Sequence, residues 1–287
     1  MRFLALCSAL LVSAPAYAQI FTFTREQMIK YTPNNPFDRF PDGRPKVPDE
    51  LLERLRPLTQ ENVWGMLGKE FPNQFEGNWR VIQPGKKLVG RAVTAQYMPF
   101  RGDLSSVAEA EARARGAGAI NQRVIDMLQP GDVLVVDLFG KVEQGTFVGD
   151  NLAMAIYGAT KAGFVIDGSM RDLDGIYEIG VAGYVRNFHP SAIGNVILTA
   201  VNTPVRIGSV TVMPGDVVLG DREGVTFIPP QFVQKIVERG EETLIHDEWT
   251  KAKFLTGKYK SSELYPSPKD PELRKEYEEY KKARLKK

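Results

Sequence analysis

The sequence predicts an α/β protein whose core layers sheet against helix, and three observations carry that prediction. A strand-like run at 133–138 follows the turn Pro130-Gly131-Asp132. Apolar positions 152, 153, 155, 156 and 159 then define a helix over 151–161. Gly163 stops that helix before the buried-type strand Phe164-Val165-Ile166. Strand, helix and strand in that order form the unit of a parallel sheet, because the chain must cross back over one face before the second strand can lie beside the first.

The remaining elements follow in chain order. Residues 19–48 are polar and broken by Pro33, Pro36 and Pro41, which suits an arm that wraps a surface or a neighbour and is not expected to carry a core. Leu51, Leu52, Leu55, Leu58 and Val63 fit helical segments interrupted at Pro57, and a strand pattern runs over 87–98 after Pro84-Gly85. A helix is expected over 105–115. Beyond 166 the chain is strand-rich, with turns at Thr203-Pro204 and Met213-Pro214-Gly215-Asp216, and a helix runs from about 231 to 254. The expected organisation is a leader over 1–18, an arm over 19–48, one domain over 49–256 and a charged tail, a solvated helix or arm, over 257–287.

At 287 residues with 43% hydrophobic content, the chain is long enough for a substantial core. Its 37 basic and 35 acidic side chains nearly cancel, so no overall field points to nucleic acid or an anionic membrane. Met1-Arg2, the apolar run 3–12 and the small-x-small exit Ala16-Tyr17-Ala18 read as a secretory signal, so the mature protein is expected to be exported, periplasmic or secreted. No stretch reaches the roughly 20 apolar residues that a spanning helix needs. Cys7, the chain's one cysteine, falls within the leader, so disulfides and thiolate chemistry are excluded from the mature protein.

The chemistry concentrates at Gly149-Asp150-Asn151-Leu152 and at Gly168-Ser169-Met170-Arg171-Asp172. Asp150 is placed to cap a helix whose first amides, at Asn151 and Leu152, face any anion bound there. Arg171, leaving the next strand, offers a forked donor to a carboxylate or keto oxygen. Asp172 is a hard oxygen ligand of the kind Mg²⁺ or Mn²⁺ prefers, with water and substrate completing the shell. Such a site suits 2-oxo acids and the stabilisation of an enolate. Spacing alone leaves open a plain helix cap beside a surface Arg–Asp pair.

Asp150, twenty intervening residues and then Arg171-Asp172 resemble the signature of the class II pyruvate aldolases acting on 4-hydroxy-4-methyl-2-oxoglutarate and 4-carboxy-4-hydroxy-2-oxoadipate, a superfamily shared with the regulator of ribonuclease activity A. Segments 90–94, 131–137, 163–168 and 214–224 resemble family segments in family order, and the likeness covers roughly 51–254. The resemblance implies a swivelling β/β/α domain and a lyase, dependent on Mg²⁺ or Mn²⁺, that releases pyruvate from a 4-hydroxy-2-oxo acid and also decarboxylates oxaloacetate. It implies that Asp172 ligates the metal, Asp150 holds metal-bound water as the base, Arg171 binds the pyruvyl group, and the Asn151 and Leu152 amides hold its carboxylate. It also implies homotrimers or hexamers with sites between subunits, where a neighbour's Glu241 or Glu242 contributes. The alternative within the superfamily is a non-catalytic binding or regulatory protein.

Other signals carry less. Gly116-Ala117-Gly118 lacks the third glycine and the preceding strand of a dinucleotide loop. His189 and His246 lie far apart without a third ligand for zinc, and His189 reads as structural or loop-lining. Asp221-Arg222-Glu223-Gly224 reads as a tight charged turn, no nucleophile elbow surrounds any serine, and the basic residues 281–287 read as a solvated end.

Overall fold

The computed structural model describes residues 21–285, so the expected leader over 1–18, with Cys7, lies outside the described residues. In chain order the elements are α1 (Arg25–Tyr31), α2 (Asp49–Leu55), α3 (Gln60–Val63), β1 (Phe75–Glu76), β2 (Arg80–Val81), β3 (Leu88–Pro99), α4 (Gly102–Ala114), α5 (Gln122–Ile125) and β4 (Asp132–Asp137). Then come β5 (Thr146–Val148), α6 (Asp150–Thr160), β6 (Gly163–Met170), α7 (Leu173–Ile179), β7 (Ala182–Phe188) and β8 (Val196–Val201). The hairpin of β9 (Val205–Ile207) and β10 (Val210–Val212) leads to β11 (Val217–Gly220), β12 (Val225–Ile228), α8 (Pro230–Leu255), α9 (Ser261–Leu264) and α10 (Pro271–Leu285).

The main sheet runs β1-β12-β11-β3-β4-β6-β7-β2, with β8 joining β3 and β5 joining β6. Strands β3, β4, β6 and β7 are mutually parallel, as the strand–helix–strand reading predicts. Every residue of β4 and β6 is buried, because both faces of this part of the sheet are covered. Alternation divides the load between the faces. Leu134, Val136, Phe164 and Ile166 meet Ala153 and Ile156 of α6, whereas Val133, Val135 and Val165 join a cluster with the β9–β10 hairpin. A third cluster joins Leu51, Leu52 and Leu55 of α2 to Val217, Leu219 and the first turns of α8.

The arm does more than wrap a surface. Met28 and Val47 are buried, and Arg44 drives into the interior to form a two-pronged ion pair with Asp132 at 2.7 and 3.2 Å. Composition hid this because the apolar contribution is sparse and the decisive contact is ionic. Burial holds the Asp132 carboxyl above the ordinary aspartate range even with Arg44 beside it.

At the other end, α8 begins on Pro230, whose missing N–H costs nothing at a helix start. Arg54 of α2 grips Glu241 with two bonds of 2.8 and 2.9 Å, and Lys281 of α10 pairs with Glu242 at 3.2 Å. Both glutamates that the family resemblance singles out are thus engaged within their own chain. The charged tail folds back on α8 as α10, held by Lys253–Glu276 and by His246 edge-on to Tyr277. Among the described residues no helix is long and apolar enough to cross a membrane.

Candidate functional site

The site is built by strand register. Val148 of β5 pairs with Met170 of β6, and Met170 pairs with Phe188 of β7, so three parallel strands end in one row. The backbone continues the row for one more step: Arg171 N–H donates to Val148 O at 3.1 Å and His189 N–H donates to Met170 O at 3.0 Å. The residues just past the row are Gly149-Asp150, Arg171-Asp172 and His189. Ligand groups in α/β sheets sit in the same place, beyond the carboxyl ends of parallel strands, where side chains from several strands converge.

Asp150 is the first residue of α6 and does not cap it. Gly149 takes the extended cap conformation (φ −107°, ψ −169°), and its carbonyl accepts the Ala153 N–H at 2.9 Å. Asp150 Oδ1 accepts the Asn151 N–H at 2.7 Å, so the carboxylate itself occupies one of the two amides expected to face an anion. The negative charge still lies at the positive end of an 11-residue helix, where it is favoured. The Leu152 side chain turns to the core.

Arg171 and Asp172 are both about two-fifths exposed and form a 3.3 Å ion pair through Nε and Oδ2. Asp172 adopts a left-handed backbone (φ 58°, ψ 45°), uncommon outside glycine and tolerated best by Asp and Asn. This turn ends β6, starts α7 and sends the carboxylate back over Gly149. A Cβ at 149 would lie 2.2 Å from Asp172 Oδ2 and 3.4 Å from Arg171 Nε, so only glycine leaves room for the pair. Asp150 in turn leans on α7, where a Cβ at Gly175 would come within 2.8 Å of Asp150 Oδ2. The three residues singled out by spacing are therefore together, in a cradle that two glycines keep open.

A shallow pocket beside this cradle is lined by Arg171, Asp172, Leu173, Phe188, His189 and Pro190. His189 is the residue that sequence reasoning set aside. Its position one step past a strand end, level with Arg171, was legible only once β6 and β7 were known to be in register. Asp221 is explained by the turn: it accepts from Glu223 N–H and Gln60 N–H and pairs with Lys87. His246 belongs to the α8–α10 contact.

As ligands, Asp150 and Asp172 supply hard anionic oxygens in an open setting, which fits a cation that keeps most of its water. No group of three or more His, Cys, Asp or Glu side chains gathers into a closed metal cage among the described residues.

A family model described as RraA-like, Aldolase/RraA, matches residues 64–227. The chain belongs to the RraA-like family. A protein of Halalkalibacterium halodurans, provisionally named a 4-hydroxy-4-methyl-2-oxoglutarate aldolase, is 29% identical over 119 residues, which cover 42% of this chain and 56% of that one. The 4-hydroxy-4-methyl-2-oxoglutarate aldolase of Thermus thermophilus is 27% identical over 111 residues, covering 39% of this chain and 67% of that one. Among solved structures, Streptomyces coelicolor RraAS2, described as an unusual member of the RNase ES inhibitor RraA protein family, superposes with a TM-score of 0.58 at 28% identity, covering 76% of this chain and 98% of that one. The match thus spans little more than half the length of the H. halodurans relative. RraA-like folds carry proteins named as aldolases and proteins named for inhibition of a ribonuclease, so the reaction has to be argued from the site.

Proposed function

We propose that this RraA-like protein is a lyase, dependent on Mg²⁺ or Mn²⁺, that releases pyruvate from a 4-hydroxy-2-oxo acid by retro-aldol cleavage and decarboxylates oxaloacetate at the same site. The observation that carries the reading is the convergence of Asp150, Arg171 and Asp172 on the Gly149 cradle.

A divalent ion held by Asp172 would supply Lewis-acid stabilisation of negative charge developing on the keto oxygen. Arg171, with its exposed guanidinium, binds and orients the 2-oxo acid by forked hydrogen bonds, and its charge favours the enolate over the ketone. The Leu152 amide, at the positive end of α6, faces the substrate carboxylate. Asp150 Oδ2, the oxygen not engaged by Asn151, takes up the proton of the C4 hydroxyl, directly or through a water. The C3–C4 bond then breaks: C4 becomes a carbonyl, the electron pair enters the C2–C3 enolate, and protonation at C3 gives pyruvate. Oxaloacetate loses carbon dioxide through the same enolate and needs no base at C4.

Assembly as a homotrimer or hexamer with sites between subunits, and export after removal of residues 1–18, are parts of the same proposal. The likeness to RraAS2 favours a second reading, a non-catalytic binding protein. Pyruvate release from oxaloacetate and a panel of 4-hydroxy-2-oxo acids, by protein stripped of metal and resupplied with Mg²⁺ or Mn²⁺, separates the two. The lyase predicts metal-dependent release that Asp172→Ala lowers by at least about 100-fold. Release no greater than that of the variant would leave the binding reading.

A further inference from the structure

A cavity of about 390 Å³ shares no lining residue with the pocket at Arg171. Four segments enclose it: the end of α1 with residues 32–35, the loop 70–74 before β1, the β9–β10 hairpin with the turn after it, and the first residues of α8. Its size falls in the range of small-ligand sites. Asp216, in the turn that enters β11, borders the cavity and is only 3% exposed.

Asp216 Oδ2 accepts the Met213 N–H at 2.8 Å and so closes its turn. An asparagine oxygen would do the same, so the turn does not explain the acid. Oδ1 has no donor among the described residues, and it is not sealed either, because the enclosed side-chain atoms without a partner there are Arg44 Nε and Asn202 Oδ1. Oδ1 therefore keeps an opening, which the cavity beside it supplies. Burial, with no neighbouring charge to offset it, raises this carboxyl to about 7.

The charged side chains that line the cavity are Asp216 and Glu70, and no Lys, Arg or His is among them. Arg44, which packs beside Gly215, commits its charge to Asp132, and Lys30 rests over the Tyr31 ring at 5.5 Å without lining the cavity. The start of α8 adds a partial positive charge of about 0.5, too little to balance two carboxylates. Asn34, Asn73 and Gln231 also border the cavity, and their amides have no hydrogen-bond partner among the described residues. Such a lining repels an anion, and a neutral ligand leaves Asp216 without a counter-charge. A protonated amine supplies that charge, and its three N–H donors match one carboxylate oxygen and two amide oxygens.

We propose that this cavity binds a small organic ammonium ion, with Asp216 Oδ1 as its counter-ion and the amides of Asn34, Asn73 and Gln231 as further acceptors. The site is independent of the lyase reading.

Calorimetry on the Mg²⁺-loaded full chain at about pH 8, where the folded state holds Asp216 ionised, compares 1,4-diaminobutane with 1,4-butanediol, its uncharged counterpart. The expected result is one diaminobutane per chain, bound at least about 10-fold tighter than the diol. Asp216→Asn keeps the Met213 bond and loses the charge, so it should weaken diaminobutane about 10- to 100-fold with a normal thermal melt. Glu70→Lys, at an exposed position that leaves the fold alone, should weaken it about 5-fold in low salt. Absent diaminobutane binding, a diol that binds as tightly, or unchanged diaminobutane binding in Asp216→Asn would each overturn the assignment. If Asp216→Asn failed to fold, unchanged binding in Glu70→Lys would overturn it instead.

Discussion

Replacing Gly149 with alanine tests the cradle most directly. The added Cβ would lie 2.2 Å from Asp172 Oδ2, whereas real Cβ contacts essentially never fall below 3.0 Å, so the carboxylate must retreat by about 0.8 Å or swing to another rotamer. It can do so cheaply, because the side chain is 44% exposed and its partner Arg171 is 42% exposed. The backbone at 149 is extended with negative φ, so alanine is not strained there. Stability should therefore change by less than about 1 kcal/mol, in keeping with a surface ion pair. Turnover should not be spared: a displacement near 1 Å at a reacting centre costs on the order of 100-fold. The assay is metal-dependent pyruvate release alongside a thermal melt. Parental turnover in a variant that folds normally would refute the claim that Asp172 must lie over Gly149, and a loss of fold would refute the claim that the cradle is soft.

Three further predictions test other links. Arg44→Met leaves Asp132 buried without its partner and should destabilise the protein by about 3–5 kcal/mol in urea unfolding. Arg171→Lys keeps the charge and loses the fork, so pyruvate release should fall about 10- to 100-fold with a stability change within about 0.5 kcal/mol. Burial pushes the Asp216 carboxyl from 3.8 up to about 7, so the folded state holds that proton more tightly than the unfolded chain. The stability this provides is full below about pH 3.8 and is lost as the pH rises through about 7. Asp216→Asn removes the titration and can still accept the Met213 N–H. Its stability relative to the parent should therefore improve between pH 4 and 8 by a few kcal/mol, roughly 2–4, and parallel pH profiles would contradict the burial argument.

Elements with strong local signals were legible. The helix stopped by Gly163 and the strands around it are present as α6, β4 and β6, because apolar period and glycine punctuation act over a few residues. The long helix after Pro229-Pro230 appears as α8 for the same reason. The cap was misread by one position, since Gly149 needs no side chain to take the extended cap conformation and so gives no capping signal in sequence. The arm's burial left no mark in the sequence because it rests on isolated apolar residues, Met28 and Val47, and on one arginine paired with an aspartate 88 residues away.

His189 shows where local reading stops. Nothing within ten residues of it signals a site; its meaning depends on β5, β6 and β7 ending at the same height, which long-range pairing decides. A one-residue slip between β6 and β7 would turn His189 to the opposite face and leave the Arg171–Asp172 pair intact. The Asp150, Arg171 and Asp172 cluster is therefore encoded within a single strand–helix–strand unit, whereas the placement of His189 beside it is set by the alignment of the next strand. Substitutions at position 189, which leave the Arg171–Asp172 pair over Gly149 intact, should accordingly leave metal dependence as it is. Changes at Gly149 or Asp172 should depress all substrates together.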